Sequence, residues 1–199
     1  DGVDVTRLPE HKRAKYIGRV FQDPMMGTAP TMQIEENLAL AMRRGKHRGL
    51  RWGIRSAERE QYRELLQEFD LGLEDRLTTK AGLLSGGQRQ ALTLLMATLQ
   101  KPRLLLLDEH TAALDPKTAQ KVLEITDKIV QENALTTLMI THNMNDAIRY
   151  GNRLVMMHEG HVIYSVSGEE KRQLKVPDLL KKFEELSHEA FANDRALLT

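Results

Sequence analysis

Leu104-Leu105-Leu106-Leu107-Asp108-Glu109 is the segment from which the architecture unfolds. Four leucines follow Pro102 and run directly into two carboxylates. A short continuous apolar run of this kind fits a strand of a parallel sheet covered on both faces. Two other segments share the pattern. Tyr16-Ile17-Gly18-Arg19-Val20-Phe21 ends on Gln22, and Thr137-Leu138-Met139-Ile140-Thr141 ends on His142. Open parallel sheets bind ligands outside the carboxyl ends of their strands. Gln22, Asp108, Glu109 and His142 therefore meet on one sheet edge. Either they line one site, or they merely mark where strands stop.

Helical periodicity fills the space between the strands. Ile34, Leu38, Ala41 and Met42 form one apolar stripe, and Tyr62, Leu65, Leu66 and Phe69 form another. A further stripe, Ala119, Val122, Leu123, Thr126, Ile129 and Val130, lies on a helix opened by Asp115 as cap and Pro116 at its first position. Strands alternating with helices predict an α/β fold with a parallel sheet. Residues from about 31 to 100 read as helical throughout and predict a helical subdomain inserted in the α/β core. Leu154 to Met157 and Val162 to Tyr164 flank Glu159-Gly160 and predict a β-hairpin. From Gly168 onward the chain is charged and predicts helix.

Composition narrows the function classes. The 199 residues carry 29 Lys+Arg against 28 Asp+Glu, a net charge of +1, so no whole-protein attraction to nucleic acid is expected. Cys is absent, which excludes disulfides and thiolate metal sites. A membrane-spanning helix needs about 20 apolar residues, and the longest unbroken runs here are four. No N-terminal signal segment is visible, and the first residue is Asp rather than Met.

Asp108-Glu109 has a chemical reading beside the structural one of an acidic strand end. In a nucleotide hydrolase the first carboxylate supports Mg²⁺, and the second orients and deprotonates an attacking water. Leu84-Ser85-Gly86-Gly87-Gln88 precedes an apolar helix. Ser85 and Gln88 have the spacing of a capping box, so the segment reads as a capped helix start. Capping does not call for two successive glycines. They clear side chains from a helix N-terminus, where backbone N–H groups meet an anion.

Taken in order, Leu84 to Gln88, Leu104 to Glu109, Ala112-Ala113-Leu114-Asp115 and His142 resemble the ATP-binding cassette (ABC) ATPases. They look like the signature motif, the Walker B strand with its catalytic glutamate, the D-loop and the H-loop. Gln22, in Val20-Phe21-Gln22-Asp23-Pro24, looks like the Q-loop. The resemblance implies a P-loop NTPase (RecA-like) core, with ATP and Mg²⁺ as cofactors. By it, Asp108 and Gln22 serve the Mg²⁺, Glu109 polarises the attacking water, and His142 contacts the γ-phosphate. Ser85, Gly86, Gly87 and Gln88 complete the nucleotide site of a second ABC subunit, a homodimer partner, with Asp115 at the interface. Transmembrane permease subunits are the other implied partners, and the implied location is peripheral, on the cytoplasmic face of the membrane.

One departure is large. No G-x-x-x-x-G-K-[ST] loop occurs in the sequence, and Gly45-Lys46-His47 does not supply one. Asp1-Gly2-Val3-Asp4-Val5-Thr6 resembles the segment after the family's P-loop helix, so residues 1–199 are expected to be one ABC domain lacking its N-terminal part. Such a chain binds ATP in cis poorly or not at all. His110 replaces the Pro, and Ala112 the Ser, that many relatives carry.

Arg43, Arg44, Lys46, Arg48, Arg51 and Arg55, with Trp52 among them, form a basic stretch free of acids. It reads as a solvated loop, or as a contact for anionic lipid or a permease. Met25, Met26 and Met32 serve either as core filler or as a permease contact. The leading functional expectation is a transporter ATPase subunit, with a resemblance to importers of amino-acid-like solutes. A soluble ABC ATPase acting on DNA or ribosomes is the alternative, although the insert is too compact for a long coiled coil. A binding module that never hydrolyses ATP is the third.

Overall fold

The computed structural model describes residues 2–46 and 53–197, with side chains given as far as residue 186. His47, Arg48, Arg51 and Trp52 of the basic stretch lie outside the described residues. The chain divides into two compact units, Asp1–Ile140 and Thr141–Thr199.

The first unit opens with α1 (Glu10–Arg13) and β1 (Ile17–Val20). Helices α2 (Ile34–Met42), α3 (Ser56–Gln67) and α4 (Gly86–Thr98) follow, with short 3-10 turns at Glu74–Arg76 and Ala81–Leu83. Then come β2 (Leu104–Asp108), α5 (Pro116–Glu132) and β3 (Thr137–Ile140). All three strands pair in parallel in the order β1-β2-β3. Val20 lies opposite Leu107, and Asp108 opposite Ile140. This register sets the chain after β1 beside the Asp108–Glu109 turn.

Only one face of the sheet is buried, against the expectation of cover on both. Val20, Leu105 and Leu107 are 0–1% exposed and join one core with Ala91, Leu94, Leu95 and Ala97 of α4, to which Ile125 and Ile129 of α5 add. The alternate residues point the other way: Leu104 and Leu106 are half-buried, and Leu138 and Ile140 are 56% and 52% exposed. The physical reason is the period of two along a strand. Helices α4 and α5 cover one set of side chains, and the described residues of the unit leave Leu138 and Ile140 of the other set open. Gly18 permits the close approach of β1 to α4, since a Cβ there would lie 2.6 Å from the carbonyl oxygen of Ala97.

Between α2 and α4 the packing is helical. Tyr62, Leu66, Leu73 and Leu92 are fully buried. Glu35, buried on α2, accepts both Nε and a terminal nitrogen of Arg59 on α3 at 2.6 and 2.9 Å. Asn37, also buried, fixes the loop from β1 to α2. Its Oδ1 accepts the Ala29 N–H at 2.8 Å, and its Nδ2 donates to the carbonyls of Ala29 and Gln33 at 3.2 and 2.9 Å.

The second unit contains α6 (Met144–Arg149), β4 (Arg153–His158), β5 (His161–Ser167), α7 (Gly168–Gln173) and α8 (Val176–Leu197). β4 and β5 form the expected antiparallel hairpin. Its turn residues Glu159 and Gly160 have φ of +47° and +81°, the left-handed pair that a two-residue hairpin demands. No described helix is long and apolar enough to cross a membrane.

Candidate functional site

The carboxyl edge of the sheet collects three of the expected groups in the first unit. Gln22 follows β1 and is exposed, Asp108 ends β2, and Glu109 opens the turn beyond it. Glu109 has φ +43°, a left-handed conformation that L-residues adopt only under constraint. Its N–H donates to the last carbonyl of β3, Ile140, at 3.0 Å, and its carbonyl accepts from Ala112 N–H at 2.9 Å. His142 is exposed on the second unit, just before the cap of α6. There the Asn143 side chain accepts the amides of Asn145 and Asp146.

Asp108 carries an ion pair that the sequence did not announce. Its Oδ2 accepts from Arg19 of β1 at 3.0 Å across the open face of the sheet. Both groups stay partly exposed, at 38% and 51%. Arg19 also stacks over Phe21, 4.5 Å from the ring centre. The signal was a lone Arg inside an apolar strand.

A carboxylate and a carboxamide oxygen are the hard donors Mg²⁺ prefers. Mg²⁺ is held through one or two carboxylates, several waters and substrate phosphates rather than by an all-protein cage. No cluster of three or more metal-ligating side chains occurs among the described residues. That donor set fits Mg²⁺ with a nucleotide and does not fit a resident structural metal.

The glycine pair splits into two different residues. Ser85 caps α4: its Oγ accepts the Gln88 N–H at 3.3 Å, and Gln88 Oε1 accepts the Ser85 N–H at 3.2 Å. Gly86 is exposed, and a Cβ there would meet only Leu114 Cδ2 at an ordinary 3.5 Å. Gly87 is buried, and its Cβ would lie 2.0 Å from Thr118 Cγ2 on α5. Gly87 is thus a packing glycine, whereas no neighbour forbids a side chain at Gly86. Gln88 turns inward as well, with Nε2 donating to the Leu71 carbonyl at 3.0 Å.

The next two residues of α4 were missed by the sequence reading. Arg89 is buried and donates to the carbonyls of Ala81, Gly82 and Leu84 at 2.9–3.1 Å, bracing the turn before the glycines. Gln90, fully buried, donates from Nε2 to the Phe21 carbonyl at 3.1 Å, one residue before Gln22. Their signal was two long polar side chains on an otherwise apolar helix face.

Asp115 caps α5, accepting the Thr118 N–H at 3.1 Å. The Thr118 hydroxyl and amide hold its carboxyl below the usual range. His110 is 2% exposed, and burial pushes its imidazole down to about 4, so it is neutral at physiological pH.

A cleft of about 350 Å³ opens beside β1, lined by Arg19, Phe21, Met26, Leu40, Arg44 and Met96. Met26 and Leu40 are 69% and 44% exposed at its rim.

Residues 1–112 match the family described as ABC transporter. A tyrosine transport ATP-binding protein of Clostridioides difficile is 49% identical over 184 residues, 92% of this chain and 73% of that protein. The chain belongs to the ABC transporter family. A methionine import ATP-binding protein of Streptococcus pneumoniae is 36% identical over 80% of this chain, but only 43% of that protein is spanned. The ABC cassette MJ0796, solved as a dimer in a post-hydrolysis state with ADP and Pi, matches with a TM-score of 0.69. It is 29% identical, over 84% of this chain and 71% of that one. The fold is therefore that of a P-loop NTPase cassette, and the cassette is an ATPase. These relatives stand on the transport side and give no support to the DNA or ribosome alternative.

Proposed function

We propose that this cassette is the ATP-hydrolysing part of an importer for amino-acid-like solutes. It works as a dimer against the cytoplasmic side of transmembrane permease subunits. The observation that carries the reading is the parallel register of β1, β2 and β3. It delivers Gln22 and the Asp108–Glu109 pair to one sheet edge, where cassette chemistry needs them. In this reading Asp108 and Gln22 hold Mg²⁺, which neutralises phosphate charge when bound. Glu109 orients the attacking water and takes its proton. His142 contacts the γ-phosphate. Ser85, Gly86 and the α4 N-terminus face the nucleotide of the partner subunit, with Gly87 and Gln88 supporting them from within and Asp115 at the interface.

The phosphate cradle of backbone amides and Lys lies outside residues 1–199 in this reading. Two observations support it: the missing G-x-x-x-x-G-K-[ST] motif and the apolar, open sheet face at Leu138 and Ile140. A parallel sheet is stable with both faces covered, so in this reading a further helix packs over that face in the full-length protein.

The cleft beside β1 supports the permease contact, since its methionines and Leu40 offer an apolar seat next to Gln22. Two residues of the basic stretch, Arg43 and Arg44, support a polyanion partner poorly. Arg43 is bonded to Glu58, and Arg44 is half-buried, its charge disfavoured by desolvation.

The test uses full-length protein. Glu109→Gln is expected to slow ATP hydrolysis by roughly 10²–10⁴-fold while ATP binding persists. Wild-type turnover in that variant rejects the role of Glu109.

A further inference from the structure

We infer that His110 is a positioning residue for Glu109, acting through a buried hydrogen bond to Thr126. The inference rests on the reading of Glu109 as the carboxylate that orients water. Glu109 is held left-handed at φ +43°, and such a residue needs neighbours that fix it from both sides. On its N-terminal side, the bond to the Ile140 carbonyl does this. On its C-terminal side the adjacent residue is His110, 2% exposed, whose Nε2 lies 3.3 Å from Thr126 Oγ1 on α5.

The direction of that bond follows from counting protons. A threonine hydroxyl carries one proton. That of Thr126 goes to the Val122 carbonyl at 2.7 Å, inside α5. Thr126 Oγ1 therefore accepts from His110, and His110 Nε2 carries a proton. The turn leaving β2 is thus tied to α5 at two points. Asp115 caps the helix start, and His110 reaches more than two turns further along it.

Kinetics of full-length protein test this. His110→Leu removes the donor, and Thr126→Val removes the acceptor. Each is expected to lower kcat roughly 10-fold with KM for ATP changed by less than about twofold, because a misplaced carboxylate weakens the transition state more than substrate binding. The double variant falls no further than either single one. His110→Gln and Thr126→Ser keep a donor and an acceptor, and retain wild-type kcat. The imidazole ¹⁵N spectrum shows the proton on Nε2. Wild-type kcat in His110→Leu, losses that multiply in the double variant, or a proton on Nδ1 each overturn the inference. If His110→Leu does not fold, the Thr126→Val and Thr126→Ser pair decides, and equal kcat in those two overturns it. Glu109→Gln separates the two levels. Wild-type turnover there removes the underlying role, whereas its loss alongside unaffected His110 variants removes only this inference.

Discussion

Adding one methyl group at Gly86 and at Gly87 should give opposite results. At Gly87 the new Cβ lies 2.0 Å from Thr118 Cγ2, far inside the 3.5–4.0 Å at which carbon atoms attract. Thr118 cannot turn away without cost, because its hydroxyl and amide both bond the Asp115 carboxylate that caps α5. Either that cap is lost or α4 and α5 separate, and overpacking of this kind costs about 1–3 kcal/mol. At Gly86 the nearest atom, Leu114 Cδ2, is 3.5 Å away, and Ala is a better helix former than Gly. Gly86→Ala should therefore stay within about 0.5 kcal/mol of wild type. Urea unfolding with a constant m-value reads both. Function should separate the other way. Gly86→Asp places a carboxylate on the exposed helix start and should abolish ATP-dependent dimerisation of full-length protein without loss of stability. Equal destabilisation by the two alanines, or a Gly86→Asp dimer of unchanged affinity, would refute the division of labour between the glycines.

Two further outcomes follow from buried polar groups. The His110 imidazole has a folded pKa near 4 against 6.5 unfolded, so the unfolded chain binds more protons between those values. Stability should then be complete above about pH 6.5 and fall by about 3 kcal/mol as pH drops toward 4; His110→Gln should lack this share of the acid loss. Asn37→Ala strips partners from the loop that follows Gln22 and should cost about 1–3 kcal/mol, with faster hydrogen exchange at the Ala29 amide. An unchanged Ala29 amide would show that the loop is held by other means.

Much of the fold could be read from the sequence because a few segments admit one solution. Four leucines ending on two acids gave β2, Asp115-Pro116 gave the start of α5, and Glu159-Gly160 gave the hairpin turn. The four-residue α1 escaped because it buries nothing and so has no periodicity to detect. Cover on both sheet faces was expected from apolar runs, yet Leu138 and Ile140 stand open, since a run of apolar residues does not say what will pack against it. At the candidate site, residue types and positions were legible, but their partners were not. Arg19 meets Asp108 across 89 positions, and Gln90 meets Phe21 across 69. Neither pair follows a local period, so only the three-dimensional packing reveals it. The two glycines look equivalent on paper and differ only because α5 passes beside one of them.

The division among residues 85–90 bears on which groups are free at this helix start to meet the phosphate of the proposed reading. An α-helix leaves its first amides without intrahelical partners. At α4 the Gln88 amide is taken by the Ser85 hydroxyl, and the Gln88 side chain is taken by Ser85 and Leu71. Arg89 and Gln90 spend their donors on carbonyls of the same unit. In the proposed reading the groups left to meet an anion are the early backbone amides around Gly86, backed by the helix dipole, and the Ser85 hydroxyl proton, since Ser85 Oγ only accepts in the cap. Gln88 and Arg89 hold the helix end in position, so substituting them is expected to act on the proposed phosphate binding through the cap and turn they build.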